Sequence, residues 1–273
     1  MTDDKVDDMA EASTSGAGEP PPPNAAPPRT EPPSEDSTRA FVRNTVVMST
    51  GTALSRLTGF LRLSAMAFAL GITESRLPDA YNIANITPNI LYELALGGIL
   101  TSVLVPVVVE WMQTHGRDAA WDVVRRLFTI TLVVLSAIAV LGIVLAPWII
   151  DLYTVGYPPV QREAVHDLAT FFLRFFMPQV VFYGIGAVAA GLLNSHRRFA
   201  APMFAPIANN LIVIATFLVF YAMPGPAEGS HELATGAQQL VLAVGTTLGV
   251  VAMTVALWPS VRATGFRFRW IGG

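Results

Sequence analysis

The sequence predicts an all-α protein whose helices cross a membrane several times. Of its 273 residues, 52% are hydrophobic and only 14% are charged, whereas about a quarter of the residues in an ordinary soluble domain are charged. The mean hydropathy is +0.50. The apolar residues also form blocks of roughly 20 or more, long enough to cross the hydrocarbon core of a bilayer as a helix. We therefore expect a polytopic integral membrane protein.

The first 38 residues differ in composition from the rest and are predicted to form a separate cytoplasmic tail. They are acidic and rich in proline, with a PPPP run at residues 20–23. Such a segment has too little apolar surface to offset the entropy of ordering, so we expect it to be disordered. It also lacks the basic and apolar regions of a signal peptide. Residues 39–273 are predicted to form the membrane domain.

Six hydrophobic segments follow this tail, and each is predicted to be a transmembrane helix. Several are longer than a perpendicular span needs, which indicates tilt or extension of the helix beyond the lipid. The segments are residues 41–70, 79–111, 124–152, 164–193, 199–223 and 236–261.

The distribution of arginine predicts which side of the membrane each loop occupies. Arginines cluster before segment one, between segments two and three, between segments four and five, and after segment six, whereas the other loops carry only Arg76 and Arg162. Cytoplasmic loops carry the excess of basic residues. Both ends of the chain are therefore predicted to be cytoplasmic. The clustered residues are Arg39, Arg43, Arg117, Arg125, Arg126, Arg197, Arg198, Arg262, Arg267 and Arg269.

Two arginines, Arg56 and Arg62, lie inside the first predicted helix. At about 100° per residue they fall on one polar face of the helix, and the opposite face is apolar. Gly59 lies between them and lacks a side chain, which would let the helix bend or another group approach closely. We therefore predict a hinge at Gly59. The polar face consists of Thr52, Ser55, Arg56, Gly59 and Arg62.

The second predicted helix carries a polar stripe of similar width. Pro88 lies within this helix and removes a backbone amide, so we predict a second hinge there. Any carbonyl freed in this way needs a partner in the protein or in a wet cavity. The fourth segment adds Arg174, one turn before Pro178 and Gln179. The stripe consists of Asp79, Asn82, Asn85, Asn89 and Glu93.

Arginine inside a membrane has three explanations in this sequence. The side chains could extend to the lipid headgroups, Arg56 and Glu93 could form an internal ion pair, or the arginines could bind an anion in a wet cavity. The internal pair would leave Arg62 and Arg174 without matching acids, and this surplus of positive charge favours the anion. Arginine donates paired hydrogen bonds to phosphate oxygens, so two or three of them fit a diphosphate. The candidate ligand-binding residues are Arg56, Arg62, Arg174, Asp79, Asn82, Asn89 and Glu93.

Other functional classes lack their characteristic residues. Cysteine is absent, which excludes disulfides, thiol nucleophiles and thiolate metal sites. No two of the four histidines have the i, i+4 spacing of a zinc-binding helix. The sequence contains no nucleophile–base motif and no phosphate loop. We therefore expect a protein that is not an enzyme and that has no metal, cofactor or nucleic acid ligand.

Four motifs resemble those of the MurJ/MviN family of lipid II flippases. They are SRLTGFLR at residues 55–62, DAYNIANITPNILYELALGGILTSVLVP at residues 79–106, APW at residues 146–148 and AGLLNSHRRFAAPMFAPIANNLI at residues 190–212. The resemblance implies the multidrug/oligosaccharidyl-lipid/polysaccharide exporter fold, in which two six-helix lobes face a central cavity. It implies transport of lipid II, the lipid-linked peptidoglycan precursor, to the outer leaflet of the cell membrane. Membrane lipids and cell-wall synthesis proteins are the further partners it implies.

The resemblance also assigns roles to individual residues. Arg56 and Arg62 match the cavity arginines of the family's first helix, and Asp79 matches its acid at the start of helix two. Arg174 lies where family members have a basic residue in helix four.

The sequence departs from the family in two respects. A further family arginine in helix two is replaced here by Tyr92, and the adjacent Glu93 has no counterpart role. The chain also ends before the family's second lobe, so we expect an N-terminal lobe of six transmembrane helices.

Two alternatives to a lipid II flippase remain at this point. One is a multidrug exporter, or an exporter of another polyprenyl-diphosphate oligosaccharide, with the same fold. A cavity for cationic drugs should be dominated by acids, whereas arginine dominates here. The other is a structural membrane protein, which does not require polar stripes on two helices.

Overall fold

The structure is a computed structural model that describes residues 35–71, 76–96, 110, 114, 116–226 and 233–269. Within these residues every regular element is a helix, which confirms the predicted all-α class. The packing described below lies within Val42–Gly273, which forms one compact unit. The helices are α1 (Glu35–Leu70), α2 (Leu77–Leu96), α3 (Gly116–Thr154), α4 (Pro159–Phe176), α5 (Gln179–Ser195), α6 (Ala200–Ala222) and α7 (Gly236–Arg262).

Five stretches of the described residues are long and apolar enough to cross a membrane, and they match predicted segments one, three, four, five and six. The second predicted segment begins as α2, and most of residues 97–111 lie outside the described part of the chain. The disorder predicted for residues 1–34 also falls outside it, whereas residues 35–38 are helical. The stretches are Thr45–Leu70, Trp121–Thr154, Val165–Ser195, Ala200–Ala222 and Gly236–Arg262.

The predicted fourth segment has the length of one span but consists of two helices. Pro178 has no amide hydrogen and its ring conflicts with the preceding turn, so α4 ends before it and α5 begins after it. The Phe175 carbonyl beside this break accepts a 2.9 Å hydrogen bond from the Thr247 hydroxyl of α7. The buried side-chain amide of Gln179 donates to the same hydroxyl oxygen at 3.1 Å. Thr247 therefore provides hydrogen bonds at the position where the helix is interrupted.

The same contact recurs two turns further along α7. The Thr254 hydroxyl donates to the Phe182 carbonyl of α5 at 2.9 Å. Thr254 follows Thr247 by seven residues, about two helical turns, so both hydroxyls lie on one face of α7. Polar side chains that bond across helices contribute to helix association in membranes. The two threonines therefore fix the register of α7 against α4 and α5.

Helices α6 and α7 approach closely along two glycines. Gly245 and Gly249 of α7 form a G-x-x-x-G motif, which allows two helix backbones to come together. A methyl group added at Gly245 would overlap Thr216 of α6. One added at Gly249 would overlap the Asn209 side chain and lie 2.9 Å from Val213 Cγ2. The side chains of α6 occupy the space that the two glycines leave.

Helix α1 is the least buried of the five membrane-spanning stretches among the described residues. Only 6% of its apolar window is buried, compared with 67% of the window that covers α4 and α5. The Asn210 amide of α6 donates to the Ser55 carbonyl at 3.3 Å and to the Thr58 hydroxyl at 3.0 Å. Further along, the Phe68 ring lies 4.6 Å from the Tyr221 ring, measured between centroids. These contacts hold α1 along one edge, and most of its surface remains open.

We expect Gly249→Leu to lower the thermal stability of the detergent-solubilised chain. Even the first carbon of the new side chain would meet the Asn209 backbone oxygen at 3.2 Å, and a backbone carbonyl moves only with its helix. Overpacking of this kind costs about 1–3 kcal/mol. Ala256→Leu is the matched control because Ala256 lies on an exposed part of the same helix. Equal unfolding temperatures for the two variants would contradict the close approach of α6 and α7.

Candidate functional site

The polar stripe of α2 lies on the side opposite its buried contacts. Asn82 and Glu93 are exposed, and Asn85 and Asn89 are half-buried. Ile86 interrupts the stripe, as the sequence indicates, and is 43% exposed. The stripe therefore forms a polar surface on the open side of the helix. The buried face consists of Leu77, Ala80, Tyr81, Ala84 and Pro88.

Asp79 begins this stripe in the first turn of α2. Its carboxylate forms a 3.1 Å ion pair with Arg76, and both side chains are partly exposed. The carboxylate also interacts favourably with the positive end of the helix dipole. An exposed pair of this kind contributes about 0–1 kcal/mol. The negative charge of Asp79 is thus balanced locally, by a residue just before α2, and not by an arginine of α1.

Arg62 lies on the part of α1 that meets the rest of the protein. Its guanidinium interacts with the hydroxyl group of Tyr81 on α2. Tyr81 is 1% exposed, and its hydroxyl shares a 2.9 Å hydrogen bond with the Thr246 hydroxyl of α7. A buried polar group without a partner costs about 1–3 kcal/mol. The Tyr81 hydroxyl therefore joins α2 to α7 at one polar point within an apolar core, with the Arg62 guanidinium of α1 nearby.

Three phenylalanines hold the Tyr81 ring in place. The ring centroids lie 5.9 Å from Phe172, 5.5 Å from Phe176 and 5.6 Å from Phe217, each in an edge-on arrangement. Aromatic quadrupoles favour this geometry. The phenylalanines belong to α4 and α6, so the Tyr81 ring packs between these two helices. The sequence pattern predicts neither Tyr81 nor Thr246 as a site residue, because a hydroxyl group on a predicted buried face has no periodic signal.

Arg56 lies at the opposite edge of the polar face of α1. Six residues separate it from Arg62, which places the two side chains about 120° apart around the helix. Arg56 is exposed. Within the described part of the chain, neither Arg56 nor Glu93 takes part in an ion pair. The internal Arg56–Glu93 pair that the sequence left open is therefore not present.

Arg174 is also separate from the contact between α4 and α2. Phe172 and Phe176 touch Tyr81, and Arg174 lies midway between them in sequence, so its side chain starts about 160° away from each. It is exposed, and it forms no ion pair with a described residue. The structure thus places Arg62 beside α2 and leaves Arg56 and Arg174 on other open surfaces.

The two predicted hinge positions lie in continuous helices. Helix α1 runs unbroken through Gly59, where an added methyl group would lie 3.6 Å from the Asn210 amide nitrogen. Helix α2 runs unbroken through Pro88. At that distance a methyl group would make an ordinary van der Waals contact, so the packing around position 59 does not require glycine. A hinge at either position stays a prediction.

Comparison with known proteins agrees with the resemblance in the motifs. A family model described as Lipid II flippase MurJ matches residues 66–272. The Lipid II flippase MurJ of Burkholderia cenocepacia is 31% identical over 173 residues, which cover 63% of this chain and 33% of that protein. The Probable lipid II flippase MurJ of Rhizobium meliloti is 28% identical over 230 residues, which cover 84% of this chain and 41% of that protein.

A solved structure has the same fold. It is described as a Lipid II flippase MurJ in an inward closed conformation, and it matches with a TM-score of 0.63 at 19% sequence identity. The match covers 83% of this chain and 43% of the other. The present chain thus spans well under half the length of the relatives it matches.

We expect Tyr81→Phe to destabilise the chain by about 0.5–1.5 kcal/mol, the usual contribution of one hydrogen bond. The ring packing would remain, but the Thr246 hydroxyl and the Arg62 guanidinium would lose a partner. Thermal unfolding in detergent measures the loss. Thr246→Val should have a similar effect, and the double variant should lose less than the sum of the two because the residues share one contact. Strictly additive losses would contradict this hydrogen bond.

Proposed function

The chain belongs to the lipid II flippase MurJ family, and we propose that it forms the N-terminal lobe of such a flippase. The proposed substrate is lipid II, moved from the cytoplasmic to the outer leaflet by alternating access. The family match over residues 66–272 supports this proposal. The family is one of transporters, which agrees with a protein that is not an enzyme. Membrane lipids and cell-wall synthesis proteins are its proposed further partners.

One observation carries the proposed mechanism: Arg56 and Arg62 lie within the apolar span Thr45–Leu70 without any ion pair to a described carboxylate. An unpaired guanidinium at membrane depth is costly, so such residues face a bundle interior or a wet cavity. A bound anion offsets that cost. We propose that the anion is the diphosphate of lipid II, whose oxygens match the planar donor fork of arginine.

The polar stripe of α2 fits the remainder of such a substrate. Asn82 and Asn89 each carry an amide that both donates and accepts hydrogen bonds, which suits the hydroxyl and amide groups of a sugar–peptide headgroup. Asp79 and Glu93 can accept hydrogen bonds from the same groups. Arg174 enters the proposal through its match to the family, since the structure places it on another surface.

The loose attachment of α1 is compatible with alternating access. Domain and helix movements of this kind occur at a few positions that absorb the change in backbone conformation. Helix α1 contacts the lobe along one edge, so its contacts can change without disrupting the core around Tyr81. We propose Gly59 and Pro88 as the positions at which α1 and α2 bend.

We also propose that both ends of this chain face the cytoplasm. The test introduces single cysteines, because the chain contains none, and labels intact cells with an impermeant maleimide. Val155→Cys, after α3, and Gly225→Cys, after α6, should react because both positions are exposed and are expected outside. Ala263→Cys, after α7, should react only when the cells are permeabilised. The opposite labelling pattern would overturn the orientation.

The transport role is tested in a chimaera in which residues 39–273 replace the matching part of the Burkholderia cenocepacia relative. Arg62→Ala should abolish, and Arg62→Lys weaken, the appearance of lipid II in the outer leaflet, because lysine keeps the charge but loses the planar fork. Loss of a charge-assisted hydrogen bond corresponds to roughly a ten- to hundredfold loss in binding. Transport and lipid II binding are measured together with membrane abundance.

Leu57→Ala is the control for this series. Leu57 is 54% exposed on the apolar side of α1, so its truncation should leave transport near the level of the unmodified chimaera. If Arg56→Ala and Arg62→Ala reach the membrane normally and still bind and move lipid II, the anion-cavity mechanism is wrong.

A further inference from the structure

The turn between α5 and α6 borders a cavity that the proposed transport mechanism does not use. The cavity has a volume of about 270 Å³, several times that of a water molecule, which occupies about 30 Å³. Met48 of α1 lies at this cavity and precedes Arg56 by eight residues, roughly 12 Å along the helix. The cavity is therefore distinct from the arginine-bearing part of α1. Its lining consists of Val47, Met48, Arg197, Arg198, Phe199, Ala200, Ala201 and Ser260.

Arg197 ends α5 in a conformation that normally selects glycine. Its φ is 56°, in the left-handed region. The Arg198 amide donates to the Leu193 carbonyl at 2.8 Å and the Arg197 amide donates to the Asn194 carbonyl at 3.0 Å. These are the two hydrogen bonds of a Schellman motif, whose left-handed position is most often glycine because a side chain there is strained. The chain has an arginine at this position despite that strain.

The backbone that carries these arginines is firmly held. The His196 ring stacks on the Trp121 ring of α3, with centroids 5.5 Å apart and planes within 4°. The Nδ1 atom of His196 also lies 3.0 Å from the Leu192 carbonyl oxygen. Arg197 and Arg198 therefore extend from a fixed point at the edge of the cavity.

The charges around the cavity are positive. Arg197 and Arg198 are exposed and form no ion pair with a described residue, and among the described residues no carboxylate lines the cavity. Helix α6 begins at its wall without a side-chain cap, so the first backbone amides and the helix dipole add positive potential. Ser260 contributes a hydroxyl group. An anion is the ligand that this environment favours.

We propose that the cavity binds the phosphate headgroup of an anionic phospholipid. It lies where the apolar spans Val165–Ser195 and Gly236–Arg262 end and Ala200–Ala222 begins, which is the depth of lipid headgroups. A lipid fits better than free phosphate because α1 supplies apolar walls through Val47 and Met48. The two arginine forks suit phosphate oxygens, and basic residues near an anionic membrane surface are attracted to it.

This site has a structural consequence for α1. Helix α1 has little other contact with the lobe, and the cavity lies between it and the α5–α6 turn. A lipid bound there would contact both elements and stabilise the attachment of α1. The inference goes beyond the transport proposal, because binding at this site does not require that the chain moves lipid II.

The test measures phospholipid binding to the purified chain in neutral detergent by native mass spectrometry and thermal unfolding. We expect phosphatidylglycerol to bind and to raise the unfolding temperature, and phosphatidylcholine to do so much less. Arg197→Gly should weaken phosphatidylglycerol binding about tenfold, the effect of one lost charge-assisted contact. The same variant should be at least as stable as the unmodified chain without lipid, because glycine relieves the left-handed strain. Weaker binding therefore cannot be attributed to unfolding.

Arg126→Gln is the matched control, since it removes an exposed arginine that does not line the cavity. It should retain phosphatidylglycerol affinity. Equal losses for Arg126→Gln and Arg197→Gly would show diffuse attraction to surface charge and overturn the site. Unchanged affinity in Arg197→Gly would overturn it too. If inorganic phosphate alone stabilises the chain as much as phosphatidylglycerol does, the ligand is a free anion and the lipid assignment is wrong.

Discussion

Three threonine hydroxyl groups of α7 form hydrogen bonds with polar groups of α2, α4 and α5, and the packing of this lobe depends on these bonds. Thr246 bonds the Tyr81 hydroxyl of α2, and Thr247 bonds the Phe175 carbonyl of α4. Thr254 repeats the carbonyl contact on α5. In lipid, apolar side chains gain little by leaving the solvent, so close packing and hydrogen bonds between helices determine how they associate. Helix α7 provides both, because its two glycines also admit α6 at short range.

This arrangement separates a fixed part of the lobe from a loosely attached one. Tyr81 of α2 contacts helices α4, α6 and α7, whereas α1 meets the same core only near its end, through Leu70 and the residues beside it, and through Arg62. The Arg62 guanidinium can therefore interact with two groups: the buried Tyr81 hydroxyl on one side and the proposed anion on the open side. A guanidinium has five donors, so it can keep the first contact while it makes the second. The contact with Tyr81 would hold the charge in position for a ligand.

The two pairs of arginines in our proposals, Arg56 with Arg62 and Arg197 with Arg198, have the same chemistry but lie at different depths in the membrane. Arg56 and Arg62 lie within an apolar span, where an unpaired charge is costly, and this cost is the basis of the substrate proposal. Arg197 and Arg198 lie between two spans, where lipid phosphates are available and the cost is small. The same residue type therefore supports different proposals, which variants at each group can test separately. The left-handed Arg197 makes the second group unusual, because an ordinary charge in a loop does not need strain at a helix cap.

The sequence by itself determined the class, the approximate bounds of five of the six predicted spans, and the family, because these depend on local composition, periodicity and contiguous motifs. It also located the polar stripe of α2 correctly relative to the buried face, since a helical period specifies which residues share a side. Only the tertiary structure decided which groups meet. Tyr81 and Thr246, which share a hydrogen bond, lie 165 residues apart in the sequence. Thr247 lies 72 residues from Phe175, whose carbonyl it bonds beside the Pro178 break. The position of Arg174 away from the contact between α4 and α2 likewise follows from how whole helices are rotated against their neighbours. That rotation depends on interlocking shapes such as Gly249 against Asn209 that no single segment encodes.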